Sequence, residues 1–248
     1  MNSIVVANWK MNPATLKEAK MLFEATRKAA DAAKGVSVIV APPAIFLRDL
    51  SRSYKGRRIT FAAQNAHFEQ GGSFTGETSL AQARDAKATA VIVGHAERRA
   101  GGETNDDTRK KVSAAIVAQL TPILCVGEQK RAQGGEHFTT IKEQLRAGLA
   151  DVPAAKLSKM IIAYEPVWAI GADKPMSPRD MHEMTIFIHK MIVESHGQAG
   201  MNVRILYGGA VDETNALEMI SDGHVHGLLV GRASTNAFKF KHLLESLA

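Results

Sequence analysis

The sequence predicts an α/β protein that forms a single (β/α)8 barrel domain over residues 1–248. Short apolar runs alternate eight times with segments of helical spacing, which favours a parallel sheet wrapped by helices. The runs are continuously apolar, as expected for strands that are buried on both faces. No linker, composition shift or low-complexity segment divides the chain. The alternative is an open doubly wound sheet, which usually has a glycine-rich turn where this chain has Asn8-Trp9-Lys10.

Each candidate strand is a short run rich in β-branched and small apolar residues. In chain order the eight runs are Ile4–Ala7, Val36–Ala41, Ile59–Ala63, Ala90–Val93, Pro122–Val126, Met160–Ala163, Val203–Tyr207 and Val225–Val230. The segments that follow them carry apolar residues three and four positions apart, which is typical of helices packed on a sheet. The clearest helical faces are Leu16, Ala19, Leu22, Phe23 and Thr26; Val112, Ala115, Ile116 and Gln119; Ile186, Ile188, His189 and Ile192; and Phe238, Leu243, Leu244 and Leu247. Ser177-Pro178 marks a helix start, because serine caps N-termini and proline fits the first turn.

Composition narrows the class of protein. Hydrophobic residues make up 45% and charged residues 23%, which is ordinary for a globular protein. The single cysteine, Cys125, allows no internal disulfide and fits a reducing compartment. No signal-peptide pattern and no apolar run of about 20 residues is present, so we expect a cytoplasmic protein with no membrane partner. The net charge is +6, but the basic residues are scattered and the chain holds no nucleic-acid motif. We therefore expect these residues to form solvated surface, or to create a field that attracts anionic substrates.

Chemically active side chains follow several of the predicted strands. In a (β/α)8 barrel the carboxyl ends of the strands meet on one rim, and the active site is built there. The side chains expected on this rim are Asn8 and Lys10 after the first strand, His95 and Glu97 after the fourth, and Glu165 after the sixth. Gly209 and Gly231 follow the last two strands, where free backbone N–H groups bind anions such as phosphate. His224 and His226 are a weak metal pattern without a nearby third ligand, so we expect no metal and no cofactor.

The segment after the sixth strand indicates a base with a lid. Glu165 ends the strand, Pro166 stops its pattern, and Val167 to Ile170 are apolar although connections normally face water. Apolar residues in such a position make sense if they close over a site and exclude solvent. We therefore expect Glu165 to act as a desolvated base, covered by a lid that ends at Gly171.

Across its whole length the chain resembles the triosephosphate isomerase family, whose fold is the TIM barrel. The matching stretches are Asn8 to Asn12, Gln64-Asn65, Phe74 to Glu77, Gly94 to Arg99, Cys125 to Glu128, Ala163 to Gly171, Tyr207 to Gly209, and Leu229 to Gly231. Their order and spacing together are highly specific. The resemblance implies an isomerase that interconverts dihydroxyacetone phosphate and D-glyceraldehyde 3-phosphate through an enediolate, in glycolysis and gluconeogenesis.

The resemblance also implies a role for each rim residue. Glu165 would be the base and His95 a neutral electrophile, a pairing for which this family is the standard example. Lys10 would offset the negative charge of substrate and enediolate, and Asn8 would fix the carbonyl side. Glu97 would lie near the site as a partner of Lys10, although a salt bridge with one of the arginines that follow it is equally open.

Backbone N–H groups would hold the substrate phosphate, and a second subunit would complete the assembly. The resemblance assigns phosphate binding to Gly171, Gly209, Gly231 and the neighbouring positions Ala210 and Arg232. It also implies that the loop from Gln64 to Thr78 inserts into the partner of a homodimer and brings Thr75 near the partner's site, whereas an ordinary surface loop is the other interpretation.

Four positions depart from the family pattern. The family usually has serine at Ala96 and at Ala210, glycine at Arg232, and a small or flexible residue at Pro175. We therefore expect a different resting position of Glu165, a stiffer lid and a weaker phosphate grip, or a related substrate. The alternatives are an isomerase of a four-carbon ketose phosphate and a catalytically silent binding barrel, and the intact Lys10, His95 and Glu165 argue against the latter.

Overall fold

The computed structural model describes residues 2–131, 134–170 and 175–248. Eight parallel strands close into a barrel in the order β1 to β8, with β8 paired to β1. The strands are β1 (Ser3–Asn8), β2 (Val36–Ala41), β3 (Ile59–Ala63), β4 (Ala88–Val93), β5 (Thr121–Val126), β6 (Ile161–Tyr164), β7 (Arg204–Tyr207) and β8 (Gly227–Val230). The predicted (β/α)8 barrel is therefore confirmed, and the open doubly wound sheet was the wrong alternative.

Helices cover the outside of the barrel. Within the described residues they are α1 (Leu16–Ala32), α2 (Ala44–Ser53), α3 (Leu80–Asp85), α4 (Ala96–Ala100), α5 (Asn105–Val117), α6 (Glu136–Leu149), α7 (Pro178–His196), α8 (Ala216–Ser221) and α9 (Ala237–Ser246). Their starts follow local chemistry. Thr15 and Ser79 form capping boxes with the residues three positions on, and Ser177 caps α7 ahead of its first-turn proline. Within these described ranges, no helix combines the length and the apolar character needed to cross a membrane.

Two apolar clusters divide the strand side chains between the two faces of the sheet. One cluster joins the strands to the helices and includes Trp9, Tyr164 and Tyr207, all fully buried. The other cluster consists of alternate strand residues such as Val6, Ile92 and Cys125 and fills the barrel interior. The barrel is thus a packed core, and a site can form only at its ends.

The structure departs from the sequence interpretation at a few helical positions. Gln119 lies beyond α5 with a positive φ of 60°, because a left-handed turn leads into β5. Ile186 and Phe238 are exposed and do not belong to the buried faces of α7 and α9. The short helix α4 was not anticipated, because five residues are too few to show a period.

Candidate active site

A cavity of about 840 Å³ opens at the carboxyl end of the barrel. Its lining includes nine of the residues expected on the rim: Asn8, Lys10, His95, Glu97, Glu165, Gly209, Ala210, Gly231 and Arg232. Gly171 lies outside the described residues. Thr75 lies elsewhere, in the exposed connection between β3 and α3. The closed barrel brings these residues together because the strands that carry them are parallel and end at the same rim.

Glu165 follows β6 and is 2% exposed. One carboxylate oxygen, Oε1, lies 3.0 Å from His95 Nε2, and Oε2 accepts the Ala96 N–H at 2.9 Å. Ala96 lacks the hydroxyl of the serine that the family usually has, but its backbone N–H still holds the carboxylate. Gly208 makes room for it, because a Cβ at that position would lie 2.9 Å from Glu165 Cγ. Glu165 is thus buried and held by two donors at the mouth of the cavity.

His95 is the N-cap residue of α4. Its Nδ1 accepts the Glu97 N–H at 3.2 Å, so that nitrogen carries no proton and we assign the ring proton to Nε2. Burial lowers the pKa of His95, but the hydrogen bond and the charge of Glu165 raise it, and the net shift is upward. The N-terminus of α4 affects the pKa of His95 in the opposite direction to Glu165, because the positive end of a helix dipole disfavours an imidazolium. In this arrangement the ring is neutral and its Nε2–H donates to Glu165.

Lys10 occupies a strained backbone conformation beside His95. Its φ of 52° lies in the left-handed region, which costs a non-glycine residue about 1–3 kcal/mol. Two side chains hold this conformation. Asn8 Oδ1 accepts the Lys10 N–H at 3.1 Å, and Gln64 Nε2 donates to the carbonyls of Lys10 and Ala41 at 2.8 Å each. The backbone of Lys10 is therefore fixed from both sides, which aims its side chain at the cavity.

Glu97 pairs with Lys10, whose Nζ donates to Glu97 Oε1. Within the described part of the chain, Arg98 and Arg99 make other contacts. Arg98 pairs with Glu103, and Arg99 donates to Gly94 O and Asn105 Oδ1. Because the Glu97 side chain is 58% exposed, this ion pair orients Lys10 more than it stabilises the fold.

Glu103 supports the turn that carries His95, and the sequence interpretation missed it. It is 9% exposed, and its carboxylate accepts the Gly94 N–H at 2.8 Å and pairs with Arg98 and Lys111. Burial raises the pKa of Glu103, but the contacts with Lys111 and Arg98 lower it by more, so the net shift is downward. Glu103 is nine residues from Gly94 and follows no strand, so only its tertiary contacts reveal it.

The connection between β7 and α8 presents backbone donors at the far end of the cavity. Among the residues that the structure describes, the N–H groups of Gly209 and Ala210 have no backbone or side-chain acceptor. Asn215 holds their segment, because its Nδ2 donates to Ala210 O at 3.0 Å while its Oδ1 accepts the Asp212 N–H at 3.1 Å. The sequence interpretation also missed Asn215. Its amide holds the loop that contains Ala210, where the family usually has serine.

Arg232 begins a 3-10 helix, Arg232–Thr235, directly after Gly231. It is not among the residues with positive φ, so its backbone accepts a side chain without strain. The side chain is exposed and lines the cavity, and it forms no ion pair within the described residues. A guanidinium therefore faces the end of the cavity at which the free N–H groups lie.

The root of the expected lid is tied down by Glu128. This residue follows β5 and is 1% exposed, and its carboxylate accepts from Tyr164 OH at 2.9 Å and from Trp168 Nε1 at 2.8 Å. The Glu128 carbonyl also accepts the Val167 N–H. After positions 171–174, which lie outside the described residues, Pro175 lines the cavity and Met176 is buried. Both described ends of the segment are therefore anchored beside the cavity.

Cys125, His224 and His226 are further side chains with reactive or metal-binding chemistry. Cys125 is fully buried beneath Glu165, and burial, with the nearby Glu165 charge, raises the pKa of its thiol well above the usual value. In the portion of the chain that the structure describes, no three His, Cys, Asp or Glu side chains are grouped as metal ligands. His224 instead stacks on His182, and His226 binds the backbone of β7.

Comparisons with known proteins agree on one family. The family model described as triosephosphate isomerase matches residues 3–247. The chain is 40% identical over 244 residues to a protein named triosephosphate isomerase from Endomicrobium trichonymphae, and the match covers 98% of this chain and 97% of that protein. It is also similar to the crystal structure of triosephosphate isomerase from Bartonella henselae, with a TM-score of 0.86, 32% identity and 99% of each chain covered.

Proposed function

The chain belongs to the triosephosphate isomerase family, and we propose that Glu165, His95 and Lys10 carry out its chemistry. It is an isomerase that interconverts dihydroxyacetone phosphate and D-glyceraldehyde 3-phosphate, a phosphorylated sugar substrate of three carbons. The four-carbon ketose phosphate is not favoured, because all three comparisons match triosephosphate isomerases. The observation that supports the assignment of residues is the buried contact of 3.0 Å between Glu165 Oε1 and His95 Nε2 at the cavity that Lys10 also lines.

Glu165 removes a proton from the carbon next to the substrate carbonyl and returns it to the other carbon. In the structure its carboxylate binds His95 and Ala96, so it must leave these donors to reach a substrate carbon. That movement frees the Nε2–H of His95, which then gives its proton to the carbonyl oxygen and takes the proton of the neighbouring hydroxyl in return, so that the hydroxyl carbon becomes the new carbonyl. Lys10 places a positive charge beside the enediolate, and Asn8 fixes the carbonyl side through the same amide that binds the Lys10 backbone.

The phosphate is held by backbone N–H groups at the end of the cavity. We assign this role to Gly209, Ala210 and Gly231, together with Arg232, whose guanidinium adds a charge. Gly171, at the end of the lid, is assigned to the same role by resemblance, and closure of the lid protects the enediolate from water. Neither serine hydroxyl of the family is available at positions 96 and 210, and we propose that Arg232 compensates for the hydroxyl lost at Ala210.

We also propose the setting in which the enzyme works. The substrate pair belongs to glycolysis and gluconeogenesis, and the single buried thiol fits a reducing cytoplasm. A homodimer is proposed because the connection from Gln64 to Thr78 is exposed from 69 to 77 and carries the apolar side chain of Phe74 at its tip. Thr75, next to Phe74, would then contact the partner's site.

A coupled assay in both directions tests the function. The wild-type protein should isomerise glyceraldehyde 3-phosphate, and Glu165→Gln should lower kcat by more than about 100-fold because an amide of equal size cannot take a proton. Glu194→Gln, on the exposed face of α7, is the matched control and should leave kcat unchanged. Equal activity of the two variants would refute the role of Glu165, and an inactive wild type would refute the activity.

Arg232→Gly tests the proposed compensation at the phosphate end. Removing an exposed charge beside a phosphate costs about 1 kcal/mol, so kcat/KM should fall about fivefold, mainly through KM and less at high salt. Lys55→Gly, an exposed cation distant from the cavity, serves as the control. If Arg232→Gly improved kcat/KM, the side chain would obstruct the phosphate rather than bind it.

A further inference from the structure

A second cavity, of about 530 Å³, lies at the opposite end of the barrel from the active site. Its floor is apolar and includes Ile4 and Ile161, members of the cluster that fills the barrel, and Ile39, which packs against that cluster. The residues around its edge stand at the starts of the strands and are polar: Asn2, Ser3, Ser37, Thr60, Thr89, Thr121, Arg204 and His226. The packed interior therefore separates this amino-terminal mouth from the active site.

The charge in this mouth is positive and uncompensated. Arg204, the first residue of β7, is half-buried, and no Asp or Glu is found among the described residues that line the cavity. Within the described ranges its guanidinium makes neither an ion pair nor a hydrogen bond to protein. A guanidinium has five donors that match the oxygens of an anion, and in a partly buried position it usually pairs with a carboxylate. The lack of such a partner here leaves these donors available to a bound anion.

His226 adds a second fixed donor. The ring Nδ1 accepts the Ile205 N–H at 3.1 Å, and the backbone N–H of His226 donates to Ile205 O, so the residue is held against β7. Because Nδ1 is an acceptor, the ring proton of the neutral form is on Nε2. Burial lowers the pKa of His226, and the nearby His189 and Arg204 lower it further, as expected in a positive field.

Hydroxyl groups complete a set of donors around the mouth. Ser37, Thr60 and Thr121 lie near the starts of β2, β3 and β5, and their hydroxyls bind no protein group within the described residues. Only Thr89 is engaged, donating to Phe61 O at 3.3 Å. Hydroxyls, an imidazole N–H and a guanidinium together favour a small oxyanion over a cation or an apolar ligand.

We propose that the amino-terminal mouth of the barrel is a second anion site, in which Arg204, His226 and the surrounding hydroxyls bind phosphate, either free or as part of a small metabolite. This site is independent of the catalytic one, because none of its residues lines the active-site cavity. The volume exceeds that of a single phosphate ion, which leaves space for a short phosphorylated molecule.

Backbone NMR of ¹⁵N-labelled full-length protein tests the proposal, because it distinguishes the two ends of the barrel. Inorganic phosphate and glycerol 3-phosphate would be titrated separately at constant ionic strength, against NaCl as a reference. The amides of Ile205 and His226 should shift saturably with at least one of the two, and the tighter ligand identifies the source of the phosphate. The amides of Gly209 and Ala210 report the active site in the same spectra.

Arg204→Gln should weaken binding at Ile205 and His226 at least tenfold, since a charge-assisted hydrogen bond is lost, while kcat/KM stays unchanged. Arg204→Lys should retain part of the affinity. If Arg204→Gln does not fold, Thr60→Val with Thr121→Val removes two donors at constant size and should weaken binding in the same way. The proposal is overturned if NaCl reproduces the shifts, if neither ligand produces them, or if these variants bind as the wild type does. An inactive enzyme that still shows the shifts would refute the catalytic assignment alone.

Discussion

At the scale of single residues, Glu165 controls the protonation of His95. The carboxylate raises the pKa of the imidazole against the effect of burial, and the imidazole donates to the carboxylate in return. As the pH falls, His95 gains a proton more readily than an ordinary histidine, and the resulting ion pair with Glu165 removes the free base. Activity should therefore decline on the acid side as His95 gains its proton.

Glu165→Gln tests this coupling directly. The variant loses the influence that raises the pKa of His95, whereas burial, which lowers it, remains. The pKa of His95 should therefore fall below its wild-type value and below the ordinary value of about 6.5. NMR titration of the ring protons, assigned with His95→Gln, measures the change. An unchanged or higher pKa in Glu165→Gln would show that the carboxylate does not control the ring.

The sequence predicts the side chains proposed to react but not the residues that hold them. Glu165 and His95 were predictable because they lie one and two residues after an apolar strand, and the barrel topology fixes where strand ends meet. Gln64 and Glu103 act through contacts with backbone groups that are 54 and nine residues away, and no local pattern encodes such contacts. Their roles became visible only from hydrogen bonds in the folded chain.

At the scale of elements, the connection between β7 and α8 depends on one amide. Asn215 binds both Ala210 O and the Asp212 N–H, and thereby shapes the segment that offers free N–H groups to the phosphate. The helix that follows is only six residues long and contributes little rigidity. We therefore propose Asn215 as a positioning residue for the proposed phosphate site.

Asn215→Ala removes two hydrogen bonds worth about 1 kcal/mol each, so KM should rise about 5- to 30-fold with little change in kcat. Asn215→Asp should be worse, because a carboxylate cannot donate to Ala210 O and repels the phosphate. Asn202→Ala, exposed before β7, is the matched control and should leave KM unchanged. Equal KM values for Asn215→Ala and Asn202→Ala, or a fall in kcat alone, would contradict a role in phosphate positioning.

The strands were predicted within a few residues because burial on both faces makes them continuously apolar. The helices were predicted less well. α4 is too short to show a period, and the exposure of Phe238 depends on how α9 packs rather than on its own sequence. The expected lid runs from Val167 to Gly171, and positions 171–174 lie outside the described residues, so the expected effect of Pro175 on closure stays a prediction.

At the scale of the whole molecule, the closed barrel gives two separate ends with different chemistry. The carboxyl end collects a base, an imidazole and free backbone donors, while the amino end collects hydroxyls around Arg204. Apolar residues such as Ile92 and Leu229 fill the space between them. That residues 1–248 form one domain remains a prediction, although the barrel closes between β1 and β8 from both ends of the chain.

The proposed homodimer belongs to this scale as well. The wild-type protein should sediment as a dimer at micromolar concentration. Thr75→Arg should produce monomers and lower activity, because a long charged side chain would be placed in the interface. Thr139→Arg, on an exposed face of α6, is the control and should remain dimeric. A wild-type monomer with full activity would refute the proposed assembly, and a fully active Thr75→Arg dimer would refute the placement of Thr75.

The proposed mechanism depends on where the Glu165 carboxylate lies, and Glu165→Asp tests this position. The substitution keeps the charge and the base but withdraws the carboxylate by about one methylene, and a displacement of about 1 Å can cost about 100-fold in rate. We predict a fall in kcat of about 100-fold or more with KM for glyceraldehyde 3-phosphate nearly unchanged. A fall of only a few-fold would mean that proton transfer does not depend on this carboxylate, which would contradict the mechanism.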